Sequence, residues 1–359
     1  MDNIRKKVRY DSIRPGQVWL DTKGERIQAH GGSLMYLDGT YYWYGENKQF
    51  TDPEKNIWHW GVRLYSSKDL YNWDDLGLII PPDTENPDSS IHPSSMMDRP
   101  HIIFNRRTRK FVCWLKIMEK NGTQTETVLT ADRLTGPYEI VRERLMPLGM
   151  SAGDFDLAVA PDGKAYYYFE RVHSETICAD LTDDYTNVTG FYSAHFPHPH
   201  PPLVREATAH FVRNYKHYLV TSGTTGYLPN PSEVAVADTW HGPYKVLGDP
   251  HPGDASRTSY HSQISSVFKV PGKKDLYIAC ADRWMPFAMD AEYETYGKAF
   301  DILFDPDSTE EAKASAASAM SSIPGAVTSK ADYVWLPFRF EGEMAYLDWK
   351  DEWRIEDFD

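Results

Sequence analysis

The chain is poor in cysteine. Three thiols, Cys113, Cys178 and Cys280, in 359 residues are too few and too scattered for a disulfide framework or a cysteine-based zinc site. Each stands in an apolar, strand-like run, which predicts buried thiols. No stretch approaches the ~20 apolar residues of a membrane span. The N-terminal run MDNIRKKVRYDSIRPGQ is basic but lacks the apolar segment of a secretion signal, so a cytoplasmic location is expected. Excess positive charge is missing too. A formal net charge of −14 argues against nucleic acid and anionic membranes as partners and favours a small or neutral substrate. Thirteen histidines occur without an HExxH motif or a close His/Asp cluster, so no zinc site is expected.

Apolar and aromatic residues are plentiful. At 41% hydrophobic and 14% aromatic, the chain can bury a real core. Its eleven Trp and 23 Tyr exceed ordinary packing needs, and exposed aromatics stack well on sugar rings.

The clearest local signal is Ile27 to Lys48, IQAHGGSLMYLDGTYYWYGENK. Leu34 and Tyr36, then Tyr42 and Tyr44, alternate as half-buried strands do, and Asp38-Gly39 between them is a hairpin turn. The plan recurs. A second unit runs from Arg99 through Phe111–Leu115 to Gly136-Pro137-Tyr138. A third holds Asp156–Val159 and Ala165–Phe169. A fourth runs from Thr208 to Gly242-Pro243-Tyr244, and a fifth from Ile264 to Trp349. Units two and four share Ala-Asp-x-x-x-Gly-Pro-Tyr, at Ala131–Tyr138 and Ala237–Tyr244. Five strand-rich units of roughly 50 to 70 residues predict an all-β, five-bladed propeller rather than a β-sandwich. One domain over 1–359 is expected, with an insertion at 285–330 in the last blade. There Asp307–Ser322 reads as a helix opened by a Ser308/Glu311 capping box, either a surface feature, a lid or an oligomer contact.

In a propeller, the polar residues that begin each blade converge on one mouth of the central channel. Here these are His30, Glu46, Asp98-Arg99, Asp154 and Asp156, Arg205-Glu206 and Gln263. Carboxyl groups arriving at one point from several blades suit glycoside hydrolysis, which needs an acid for the leaving oxygen and a second group for water.

With these residues in order, the chain resembles glycoside hydrolase family 43, five-bladed inverting glycosidases. AHGGSLMYLDGTYYWYGE is most similar to its exo-β-1,3-galactanase-like branch. The resemblance implies Glu206 as general acid and Asp98 as the carboxylate that tunes its pKa, although that branch generally has Glu at this place. Typical members carry a basic Asp after an Ala-His-like pair; here Gly31-Gly32 stand there. The resemblance offers Gln263 for positioning water or as an atypical base, and Glu46 is the alternative base or a sugar ligand. Asp154 matches a substrate-contacting carboxylate, and His30, Trp114, Lys116 and Thr224 are the further expected ligand-facing residues. The His195–Pro202 loop should shape the pocket rim. No cofactor is required. Some relatives hold a structural calcium in the channel, which His261 or His210 could touch. The implied activity is release of galactose from β-1,3-linked galactan or galacto-oligosaccharides. The alternatives are an α-L-arabinofuranosidase or β-xylosidase on the same fold, or an inactive sugar-binding propeller.

Overall fold

A computed structural model describes residues 9–290, 292–321, 323 and 326–359. The basic start of the chain (residues 1–8) and Ser322, the expected end of the helix, lie outside the described residues. Twenty strands form five four-stranded antiparallel sheets, each built from four strands consecutive in sequence. Blade 1 holds β1–β4 (His30–Leu37, Thr40–Glu46, Val62–Ser67, Asp74–Ile80). Blade 2 holds β5–β8 (Met96–Asn105, Lys110–Met118, Gln124–Ala131, Glu139–Leu145), and blade 3 β9–β12 (Ala152–Val159, Ala165–Arg171, Glu175–Leu181, Val188–His195). Blade 4 holds β13–β16 (Glu206–Arg213, Lys216–Ser222, Ser232–Ala237, Lys245–Gly248), and blade 5 β17–β20 (Gln263–Lys269, Tyr277–Arg283, Asp332–Glu341, Met344–Leu347). The inner strands β1, β5, β9, β13 and β17 neighbour one another in a closed ring. The architecture is the five-bladed propeller predicted from the repeat. Strands β11 and β12 of blade 3 complete a unit whose outer half the repeat left unread.

Alternation along the strands sends apolar side chains between the blades, where they pack face to face. Five apolar clusters fill the five joints. Val62, Leu64, Met97 and Leu115 pack between blades 1 and 2, Trp114, Phe155 and Tyr167 between 2 and 3, and Tyr168, Cys178 and Leu219 between 3 and 4. Phe211, Val234, Ala279 and Phe338 fill the joint between blades 4 and 5. The blade 5–blade 1 joint is the most aromatic, with Trp43, Trp73, Trp335 and Trp353. All three cysteines are buried and free.

The chain ends meet at that last joint. Ile13 and Trp353 exchange backbone hydrogen bonds of 2.9 and 3.0 Å. Tyr10 N–H donates to Asn72 Oδ1 in the β3–β4 turn, and Asp359 O accepts from Lys274 N in the β17–β18 turn, both at 2.8 Å. Both turns lie at the ends of their blades away from where the inner strands begin.

The insertion joins β18 to β19 and contains two helices, α1 (Tyr293–Phe304) and α2 (Glu310–Met320). The second replaces the expected Asp307–Ser322. Its N-cap is Thr309, whose hydroxyl accepts from Ala312 N at 3.2 Å, not Ser308. The first was not anticipated. It is seated by Tyr296, 1% exposed, in a sixth cluster with Leu228, Trp284, Met285 and Ala331. No helix among the described residues is long and apolar enough to cross a membrane.

Candidate active site

Every inner strand slips register near its first residues: between His30 and Ser33, Asp98 and His101, Ala152 and Phe155, Glu206 and Ala209, and Ile264 and Ser266. A bulge breaks alternation and lets consecutive side chains face the same way. Three bulges carry a left-handed residue: Gly31 (φ 60), Arg99 (φ 53) and Ala207 (φ 50). Opposite the first inner residues stand the second-strand residues Glu46, Lys116, Ser222 and Asp282. The result is a polar ring at one mouth of the channel.

A cavity of about 410 Å³ opens there, lined by Glu46, Asp98, Arg99, Lys116, Asp154, Glu206, Thr224 and Gln263, with Trp58, Tyr227, Trp284, Phe300 and Phe304 as aromatic walls. A smaller, more apolar depression beside Tyr10 and Trp73 lies near the chain ends and offers no comparable set of acids.

Glu206 is the central group. Burial pushes its carboxyl well above the usual range, and the nearby charges of Asp154 and Glu170 push it further, against Lys116 and Arg99. Gln263 Nε2 donates to Glu206 Oε1 at 3.2 Å and to Ser222 Oγ at 3.0 Å. Gln263 Oε1 accepts from Arg99 Nη2 at 2.6 Å and from Trp284 Nε1 at 3.1 Å. Since guanidinium and indole only donate, the amide can point only this way. Arg205 turns aside, donating to Thr221 Oγ1 at 2.9 Å.

Glu46 sits across the mouth on blade 1. Its Oε2 lies 2.7 Å from Lys48 Nζ, and its Oε1 accepts from Arg99 N at 2.9 Å. Burial nevertheless raises its pKa to about 7, outweighing Lys48. A Cβ added at Gly31 would lie 2.4 Å from Glu46 Oε1. The carboxylate thus occupies the volume of the side chain missing from the inner strand. Blade 3 repeats the device: a Cβ at Gly153 would lie 2.2 Å from Glu170 Oε2, and Glu170 is likewise raised to about 7 by burial.

Asp98 is a different kind of carboxylate. It accepts from Trp58 Nε1 at 3.0 Å and pairs with Lys48 at 3.3 Å and Lys116 at 3.4 Å. Burial opposes its charge, but the two lysines hold it below the usual range. It is not paired with Arg99, and the charges that act most on Glu206 are Asp154 and Glu170 instead. Asp154 pairs with Arg99 and Lys116, both at 2.8 Å. Arg99, 3% exposed, therefore ties blade 2 to Glu46 of blade 1, Asp154 of blade 3 and Gln263 of blade 5.

Three expectations need correction. Trp114 is fully buried between blades 2 and 3, its indole donating to Tyr185 O at 2.9 Å, because it falls on the packing face of β6. His30 is also fully buried: it bonds Asp282 Oδ1 at 3.0 Å and stacks on Tyr333 beneath the cavity. The His195–Pro202 loop does not line the cavity, whose walls include Phe300 and Phe304 of α1 together with residues of the β6–β7 and β10–β11 turns and Tyr227. The loop reaches that helix from behind, with His200 Nδ1 3.8 Å from Asp301.

No group of three or more His, Cys, Asp or Glu among the described residues is arranged to hold a metal ion. His261 lines a separate small cavity, and His210 Nε2 bonds His217 at 3.2 Å. Arg99 brings the chain's own cation to the mouth.

A carboxyl whose pKa burial raises and which an amide orients, sharing a sugar-sized cavity with a second carboxyl, can protonate a bound molecule while its partner receives a proton. The sequence profile of glycosyl hydrolases family 43 matches residues 27–298. The chain belongs to this family. Among solved structures, a family 43 β-1,3-galactosidase, BT0265, is 29% identical with a TM-score of 0.78, over 97% of this chain and 65% of that one. A second, BT3683, solved with galactodeoxynojirimycin, is 26% identical with a TM-score of 0.76, over 96% of this chain and all of that one. An exo-β-1,3-galactanase from Clostridium thermocellum is 26% identical with a TM-score of 0.72, over 95% of this chain and 66% of that one. This glycoside hydrolase thus spans about two thirds of two of these relatives. No curated protein sequence matches it.

Proposed function

We propose that this family 43 glycoside hydrolase is an inverting, exo-acting enzyme that releases galactose from β-1,3-linked galactan or galacto-oligosaccharides. The observation that carries the reading is Glu206: it lines the cavity, its carboxyl is pushed well above the usual range by burial and by Asp154 and Glu170, and Gln263 holds it through Oε1. Glu206 gives its proton to the glycosidic oxygen as the bond to the anomeric carbon breaks. Water adds to that carbon from the opposite face and yields its proton to Glu46, whose pKa of about 7 suits a base working near neutral pH. Gln263 is given the role of orienting the acid rather than taking the proton, since its oxygen already accepts two hydrogen bonds. Asp98, Lys116, Asp154 and Thr224 are assigned to the sugar hydroxyls, with Asp154 also sustaining the protonated state of Glu206. The relatives described above support galactose as the sugar.

Glu206→Gln is expected to abolish turnover of β-1,3-galactobiose while the circular dichroism spectrum stays native. A variant with near-normal rate overturns the acid assignment. A panel of nitrophenyl galactoside, arabinofuranoside and xyloside tests the sugar, and preference for either pentoside overturns the galactan reading.

A further inference from the structure

Helix α1 adds something to this cavity beyond the family-matched residues. The match ends at residue 298, whereas Phe300 and Phe304 line the same cavity as Glu206. Their rings lie 6.1 Å apart with their planes nearly parallel, 8° between them, a stacked apolar pair one helical turn apart on the same face of α1. Phe304 is 38% exposed. Its edge meets the His173 ring at 5.1 Å. The helix is firmly seated, with Tyr296 buried, its hydroxyl donating to Pro229 O, and Arg257 2.7 Å from Glu294.

The position of this wall relative to the acid gives it a role. His173 N–H donates to Glu170 at 2.8 Å, and Glu170 is one of the charges acting on Glu206. The wall therefore stands on the blade 3 side of the mouth, near the acid, whereas Glu46 and Lys48 lie on blade 1. In a glycosidase, the group that protonates the leaving oxygen marks the leaving-group side. We propose that Phe300 and Phe304 form the platform for the second sugar of the substrate, stacking on the apolar C–H face of the ring that leaves. The inference rests on Glu206 as the acid, but not on galactose as the sugar. It makes α1 the element that distinguishes an oligosaccharide from a simple monosaccharide glycoside.

The test measures binding by calorimetry in the full-length Glu206→Gln protein with two ligand pairs, galactose with β-1,3-galactobiose and xylose with β-1,4-xylobiose. For whichever pair binds, Phe304→Ala should weaken the disaccharide about 3- to 10-fold and leave the monosaccharide unchanged. Phe304→Trp should restore the disaccharide, and Phe300→Ala should follow Phe304→Ala. An unchanged disaccharide-to-monosaccharide ratio overturns the platform, as does an equal loss for both ligands. Binding of the xylo pair alone overturns the galactan reading while leaving the platform to stand or fall on its own ratio. Binding of neither pair overturns both.

Discussion

Gln263 Nε2 donates to Glu206 Oε1 at 3.2 Å, while Arg99 and Trp284 hold the amide oxygen from behind. The acid is thus oriented by a neutral group anchored by donors that cannot be turned round. Gln263→Leu should lower kcat at least tenfold and cost roughly 1–3 kcal/mol of stability, because two buried donors lose their acceptor. Steady-state kinetics beside thermal unfolding checks this. Normal kcat with lowered stability reduces the residue to a structural role.

Glu46 fills the space above Gly31, and the two positions should trade. Gly31→Asp alone should impair turnover, since its Cβ would fall 2.4 Å from Glu46 Oε1. Asp tolerates the left-handed φ there better than most residues. Gly31→Asp combined with Glu46→Ala should be more active than Glu46→Ala alone. Equal activity of the two would sink the idea that the second strand supplies the carboxylate.

The pH profile follows from the same group. Burial raises Glu46 to about 7, so it is protonated and useless as a base below that value and charged above it. The acid limb of kcat/KM should therefore fall near pH 7 rather than in the ordinary carboxylate range. A limb near pH 4.5 instead would remove Glu46 from the base role.

Glu170 should behave oppositely for stability. Its folded pKa, about 7, exceeds the unfolded one, so its favourable contribution is present at low pH and lost as pH rises towards 7. Glu170→Gln should stabilise the protein at pH 8 relative to wild type, by up to about 3 kcal/mol, and do little at pH 4. Urea unfolding at the two pH values reads the difference directly.

Arg99 ties blade 2 to blades 1, 3 and 5, and its planar fork makes Lys a poor substitute. Arg99→Lys should reduce kcat and lower the melting temperature together. Because the guanidinium already supplies positive charge at the mouth, EDTA should leave both quantities unchanged in the unmodified enzyme. A fall in either on chelation would show that a cation matters after all.

The blades were readable because strand alternation and turn residues repeat with the unit. Asp98, Glu206 and Gln263 were readable because each begins a blade. Arg99 was expected at the mouth beside Asp98, but not its ties to Glu46, Asp154 and Gln263: strict alternation would send it away from Asp98, and the bulge at φ 53 brings both to the cavity. Trp114 and His30 failed for the complementary reason. Their positions along the strand are right, but their faces pack against neighbouring blades. Glu170 lay hidden at the end of β10, in a run, Phe169-Glu170-Arg171, whose pairing with Gly153 depends on the three-dimensional register. Phe300 and Phe304 belong to a helix without a clear N-cap signal: Glu292 stands at its cap and makes no side-chain capping bond.

The meeting of Ile13 with Trp353 has a practical reach. The described ends of the chain, tied to Asn72 and Lys274, lie on the face turned from the cavity. Anything joined beyond Asp359, whether a further module or a solid support, would hang from the back of the disc with the substrate mouth facing solution. Enzyme immobilised through its C-terminal Asp359 should turn over a soluble oligosaccharide as fast as the free protein, whereas attachment through Lys120, in the hairpin beside Met118 at the mouth, should slow it.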